Sequence, residues 1–122
     1  MSHLLPNLFF EHFQNTSYVM MSGRKIVGFL IGFISPSKEK EAYIHFIGIH
    51  PEFREKGLAR RLYKKFFEEV QDRGCHTIRC ITSPVNRISI DFHHRMGFIS
   101  DLAPDYEGPG EDRILLARYL DL

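Results

Sequence analysis

The stretch His50-Pro51-Glu52-Phe53-Arg54-Glu55-Lys56-Gly57-Leu58-Ala59 joins an apolar run, Ala42 to Ile49, to a strongly periodic one that ends near Asp72. Pro51 cannot continue a strand ladder, and Gly57 can take backbone angles closed to other residues, so the stretch reads as strand, turn and helix. Apolar residues recur at Leu58, Ala59, Leu62, Tyr63, Phe66, Phe67 and Val70, which predicts a helix from about Gly57 to Asp72 with one face in the core. Its charges are ordered: Arg54, Lys56, Arg60, Arg61, Lys64 and Lys65 come first, and Glu68, Glu69 and Asp72 last. Cations in the first turn oppose the helix dipole by roughly 0.3 to 1 kcal/mol each. A multiply charged anion held by the unbonded N–H groups of that turn accounts for the order, with phosphate the obvious candidate. Gly57 and small Ala59 leave room for it. A solvated basic face is the alternative reading.

Working outward, the chain alternates elements without repeats or low-complexity linkers. Leu8 to Phe13 reads as a short helix after Pro6. Thr16 to Met21 and Ile26 to Ile34 read as an antiparallel strand pair joined by Ser22-Gly23-Arg24-Lys25. Ala42 to Ile49 is the next strand, Gly74 closes the central helix, and His76 to Thr82 is a strand. Asn86 to Met96 is a second helix stopped by Gly97. Phe98 opens another strand, Asp101 to Asp112 is a loop, and Arg113 to Leu120 is the last strand.

Composition narrows the possibilities. A chain of 122 residues, 43% hydrophobic and 25% charged, reads as one compact domain with room for a real core. A net charge of +1 gives no global field for nucleic acid or an anionic membrane, so the basic cluster is local. The longest apolar run, Ile26 to Ile34, is nine residues and too short to span a bilayer. No basic leader precedes the interrupted apolar start, and Cys75 and Cys80 are about 16 Å apart along an extended strand, too far to bridge. A cytoplasmic protein with reduced thiols is expected.

Arg54-Glu55-Lys56-Gly57-Leu58-Ala59 resembles the pyrophosphate loop of the GNAT superfamily of N-acetyltransferases, with Arg or Gln, two residues, Gly, one residue, then Gly or Ala. It follows a strand and opens a helix, as that family requires. Downstream, Asn86, Ser89 and Phe92-His93-His94-Arg95-Met96-Gly97-Phe98 are similar to the family's second motif. The resemblance covers most of the chain from about Thr16. It implies an α+β fold of three-layer, α/β-like form: a mixed, mostly antiparallel sheet of about six strands with helices on both faces. Residues 1–122 would form a single N-acetyltransferase domain in which the family's N-terminal strand and helices are largely missing.

The same resemblance implies a site. Backbone N–H groups of Arg54, Glu55, Lys56, Gly57, Leu58 and Ala59 would hold the pyrophosphate of acetyl-CoA. The chain around Ile47, Gly48 and Ile49 would pair with the pantetheine arm where two neighbouring strands splay. Asn86 would bond the pantetheine or a phosphate, with Ser89, Phe92 and His93 also on the cofactor side. The N–H near Ile47 would polarise the thioester carbonyl. His45 is the first candidate for general base, with Tyr43 and Glu41 expected on its alternation face, and a strand histidine satisfied by the core is the competing reading. His93 stands where many relatives carry a tyrosine that protonates the departing thiolate, and packing under the cofactor is its other reading.

No metal is expected, because His45 and His50, five apart in a strand, point to opposite faces and no cluster supplies further ligands. Ser83, Ser89 and Ser100 lack a nucleophile-elbow context, which favours direct transfer over an acyl-enzyme. The acceptor would be a small-molecule or peptide amine, drawn in or not by the five acids between Asp101 and Asp112. Tyr106 could contact substrate or a second copy, and exposed sheet edges make a homodimer possible. The rival to an enzyme is a non-catalytic acyl-CoA-binding or regulatory module.

Overall fold

The computed structural model describes residues 16–38, 40–54 and 56–120. Among the described residues six strands form one sheet: β1 (Ser17–Ser22), β2 (Lys25–Ile34), β3 (Glu41–Ile49), β4 (Thr77–Thr82), β5 (Ile99–Ala103) and β6 (Arg113–Tyr119). Their order is β1-β2-β3-β4-β6-β5. Every neighbouring pair is antiparallel except β3 and β4. The parallel pair follows from the crossover helix α1 (Leu58–Asp72) between those two strands, and helix α2 (Arg87–Arg95) makes the second crossover, from β4 past β6 to β5. This is the mixed, mostly antiparallel α+β architecture expected.

The local signals act where they were read. Gly23, at φ 62°, takes the first of the two loop positions between β1 and β2, as a tight hairpin requires. Met20, Leu30, Ile47 and Ile44 lie on one sheet face because antiparallel partners share a face. That face packs on Leu62, Tyr63, Phe66, Phe67 and Val70 of α1, and Ile78, Cys80 and Leu116 extend it across β4 and β6. Gly32 lets the helix come close: a Cβ there would lie 2.3 Å from Phe66 Cε1. Tyr63 touches Phe92 and His93, so both helices lie on this one face. The helix expected at Leu8 to Phe13 lies outside the described residues.

Most boundaries fall within one residue of expectation, and two differences bear on packing. Phe98 precedes β5 and is buried in the core instead of starting the strand. The loop expected from Asp101 begins only after Ala103, because Asp101, Leu102 and Ala103 pair with Leu115, Ile114 and Arg113. An edge strand tolerates Asp101, whose side chain is exposed, so its polarity gave a false loop signal.

Candidate functional site

The strand that leads into the loop leaves its neighbour early. The β3–β4 ladder holds only three pairs, Glu41 with Thr77, Ala42 with Ile78 and Tyr43 with Arg79. Beyond Tyr43, β3 runs on to Ile49 without β4 beside it. The hydrogen-bond phase on the other side shows what this opening receives. The His50 N–H bonds the Val27 carbonyl at 2.8 Å around the Gly28/Ile49 pair, which makes that pair, and the next but one, Leu30/Ile47, of the non-hydrogen-bonded kind. The backbone N–H and C=O of Ile47 and Ile49 therefore point away from β2, into the opening.

A bulge corrects the expected alternation. Ile31 pairs with Phe46 but Gly32 pairs with Ile44, so His45 is an inserted residue on β3. Ala42 and Ile44 share the helix face with Ile47 and Ile49, whereas Glu41 and Tyr43 share the opposite face with Phe46 and Gly48. His45 is not part of a simple Glu41-Tyr43-His45 row. It is exposed where β3 has parted from β4, with its ring edge-on to Phe46 at 4.8 Å. Tyr43 stacks on Phe33 at 5.5 Å. The same insertion undoes the parity argument about His45 and His50. His50 instead lies past the strand and accepts the Glu52 N–H at Nδ1, 3.2 Å away, capping the turn Pro51–Phe53.

After that turn Arg54 is extended and Gly57 sits at the N-cap of α1 with φ 75°. Among the described residues no side chain caps the helix, and its first turn carries no acid. The first helical bond runs from the Arg61 N–H to the Gly57 carbonyl at 3.1 Å, which leaves the N–H groups of Leu58, Ala59 and Arg60 without helical partners. A Cβ on Gly57 would meet nothing within 4 Å. Glycine is needed here for its positive φ, while the space in front of it stays open. Lys56 lies 5.5 Å from the Phe53 ring, and both line a groove of about 310 Å³ with Met20, Met21 and Arg61. Glu55 lies outside the described residues.

Helix α2 brings the remaining residues to one stripe. Asn86 is its N-cap and accepts the Ser89 N–H at 3.1 Å through Oδ1, leaving the amide NH₂ without a partner among the described residues. Ser89 and Phe92 are half-buried, and Phe92 packs edge-on to Tyr63 at 5.1 Å. His93 is sealed in the core, 5% exposed. Its Nδ1 is 2.7 Å from the Ser89 carbonyl, which can only accept, so Nδ1 carries the hydrogen. In the neutral ring Nε2 then accepts from the Tyr63 hydroxyl at 2.7 Å.

Burial pushes the His93 pKa below its ordinary value, and pushes that of Tyr63 well up. Sequence reading took Tyr63 for one more apolar helix position, because nothing local reveals a hydroxyl aimed at a residue thirty positions away. The pair carries a prediction. Tyr63→Phe leaves His93 Nε2 buried and unsatisfied and should cost about 1–3 kcal/mol in denaturant unfolding. A histidine with a depressed folded pKa contributes stability that is complete above its unfolded pKa and is lost as pH falls below it. Wild-type stability should therefore decline below about pH 6.5, and His93→Gln should flatten that decline.

The acids of the 104–112 loop largely serve the loop itself. Asp112 Oδ1 accepts the Asp105 N–H at 2.9 Å, and Asp105 Oδ1 accepts the Gly110 N–H at 2.7 Å. Tyr106 is exposed. Both cysteines are buried thiols outside any disulfide among the described residues, and burial pushes the Cys80 thiol up to about 12. Among the described residues no group of three or more His, Cys, Asp or Glu could hold a metal ion, and no helix is long and apolar enough to cross a membrane.

The same fold recurs in proteins of known structure. Ard1 of Thermoplasma volcanium superposes with a TM-score of 0.85 at 20% identity, over 100% of this chain and 82% of that one. The yncA protein of Salmonella typhimurium, solved with acetyl-CoA, gives 0.80 at 20% identity, over 99% and 75%. At that identity the likeness is one of fold. In sequence, the L-2,4-diaminobutyric acid acetyltransferase of Shouchella clausii is 29% identical over 79 residues, 65% of this chain and 44% of the relative, so the chain spans less than half of that protein. The model of the acetyltransferase (GNAT) family matches residues 2–98, through the opened strand, the Gly57 turn and α2 up to Phe98, and the chain belongs to that family.

Proposed function

We propose that the chain transfers an acetyl group from acetyl-CoA to a primary amine by direct attack. The observation that carries this reading is the conjunction, among the described residues, of an uncapped helix N-terminus behind Gly57 with a β3 edge that faces no strand beyond Tyr43. The first offers N–H donors and positive charge to a pyrophosphate. The second offers Ile47 and Ile49 backbone groups to an extended amide-bearing arm, as an added strand would use them. Acetyl-CoA, when bound, supplies an activated thioester.

In this reading Arg54 to Ala59 hold the pyrophosphate, and the Asn86 amide, Ser89 and Phe92 flank the arm. The Ile47 N–H stabilises the oxyanion as the amine nitrogen bonds the carbonyl carbon. His45 takes the amine proton, with Tyr43 next along the strand. The carbon–sulfur bond then breaks and the thiolate takes a proton from His45 or water. His93 holds α2 against α1 and is not the acid, because both its nitrogens are engaged and burial disfavours its charged form.

A non-catalytic acyl-CoA-binding module is the second reading, favoured by the same sealed position of His93. Thiol release from acetyl-CoA with a panel of amines, beside calorimetry with CoA, separates the two. Turnover is expected, with His45→Ala lowering kcat about 100-fold at unchanged CoA affinity. Binding without turnover on any amine would leave only the module.

A further inference from the structure

At the closed end of the β3–β4 opening, where the ladder stops, lies an ion pair that the mechanism above does not use. Arg79 is the β4 residue of the last ladder pair, opposite Tyr43, and its Nε donates to Glu41 Oε1 two residues back along β3. Both side chains lie on the sheet face away from the helices, since their neighbours Ala42, Ile78 and Cys80 face α1. The two groups are part-buried, with side chains 16% and 35% exposed for Glu41 and Arg79. The single Nε bond leaves the two terminal nitrogens of the guanidinium, and the second carboxylate oxygen, without another partner among the described residues.

The position decides what could use them. The sheet face that carries Ile44 and Ile47 is covered by α1 and α2, whose Tyr63 packs on Phe92 and bonds His93. An acceptor must therefore reach the thioester from the other face, across Tyr43 and Arg79. Resting on the acetyl-transfer reading, we propose that the Glu41–Arg79 pair selects an α-amino acid as acceptor. The terminal nitrogens of Arg79 take its carboxylate as a fork, and the second oxygen of Glu41 takes its ammonium group. A zwitterion carries both charges on one carbon and matches a cation and an anion held side by side. The pairing also keeps Glu41 ionised, since the Arg79 hydrogen bond holds its carboxyl below the usual range. Glu41 is thus an anchor for a cation and a poor base, which leaves proton removal to His45.

The test is calorimetric titration of the twenty L-α-amino acids and their carboxamides, with and without saturating CoA, into wild type, Arg79→Gln and Arg79→Lys. At least one amino acid should bind, with its carboxamide about tenfold weaker or worse. Arg79→Gln should erase that difference and Arg79→Lys restore part of it, with CoA affinity unchanged in both. Should Arg79→Gln fail to fold, Glu41→Gln is expected to weaken the amino acid while sparing a carboxylic acid that lacks the amine. No amino acid binding, equal binding of acid and carboxamide, or equal loss of both in Arg79→Gln would overturn the proposal. Failure of acetyl transfer itself would appear separately, as absent thiol release or absent CoA binding.

Discussion

Gly57→Glu should raise the dissociation constant for CoA at least about 100-fold while the protein stays folded. Two effects add. Residue 57 sits at φ 75°, where any side chain costs about 1–2 kcal/mol of backbone strain. No steric clash adds to that strain, because a Cβ there meets no described residue within 4 Å. The open space is where a pyrophosphate is expected, so a carboxylate would compete for the N–H groups of Leu58, Ala59 and Arg60. Losing charge-assisted bonds worth about 1.5–3 kcal/mol accounts for one to two decades, and repulsion adds to it. Gly57→Asn separates the causes, since asparagine tolerates left-handed backbone and brings no charge. It should bind CoA within about tenfold of wild type. Calorimetry measures the affinity, and unchanged far-ultraviolet circular dichroism reports the fold.

The largest stability loss is expected at Gly32. Its Cβ would lie 2.3 Å and 2.9 Å from Phe66 Cε1 and Cζ and 3.0 Å from the Tyr43 carbonyl oxygen. Phe66 is fully buried and cannot swing out without opening the core. Gly32→Val should therefore cost about 2–3 kcal/mol, the upper range for overpacking, and lower Tm on the order of 10 °C. Gly32→Ala combined with Phe66→Leu should be less destabilised than the sum of the single changes, because the smaller ring partner vacates the space the methyl needs. Additive losses would mean that the two residues do not share that contact.

Much of this was legible in the residue order. Helix α1 announced itself through seven apolar positions in phase, and Gly23, Gly74 and Gly97 marked turns and helix ends that the structure places at positive φ. The candidate site residues on the loop and on α2 could be named because short motifs encode local geometry. What escaped were features made by non-local packing. The bulge at His45 resets the faces of β3, yet no residue type around it breaks the apolar run Ile44 to Ile49. The Tyr63–His93 bond joins two helices, and nothing along α2 alone reveals it. Arg79 sat among Ile78, Cys80 and Ile81 as an unremarked strand residue, and only the parallel register brings it to Glu41.

The most direct measurement is a crystal structure with CoA bound. The pyrophosphate should lie against the N–H groups of residues 57–60, the pantetheine amides should bond the Ile47 and Ile49 backbone beside the diverging β4, and the sulfur should lie on the side reached from Tyr43. CoA bound away from the β3 edge, or with its pyrophosphate remote from Gly57, would contradict the acyl-CoA site described here.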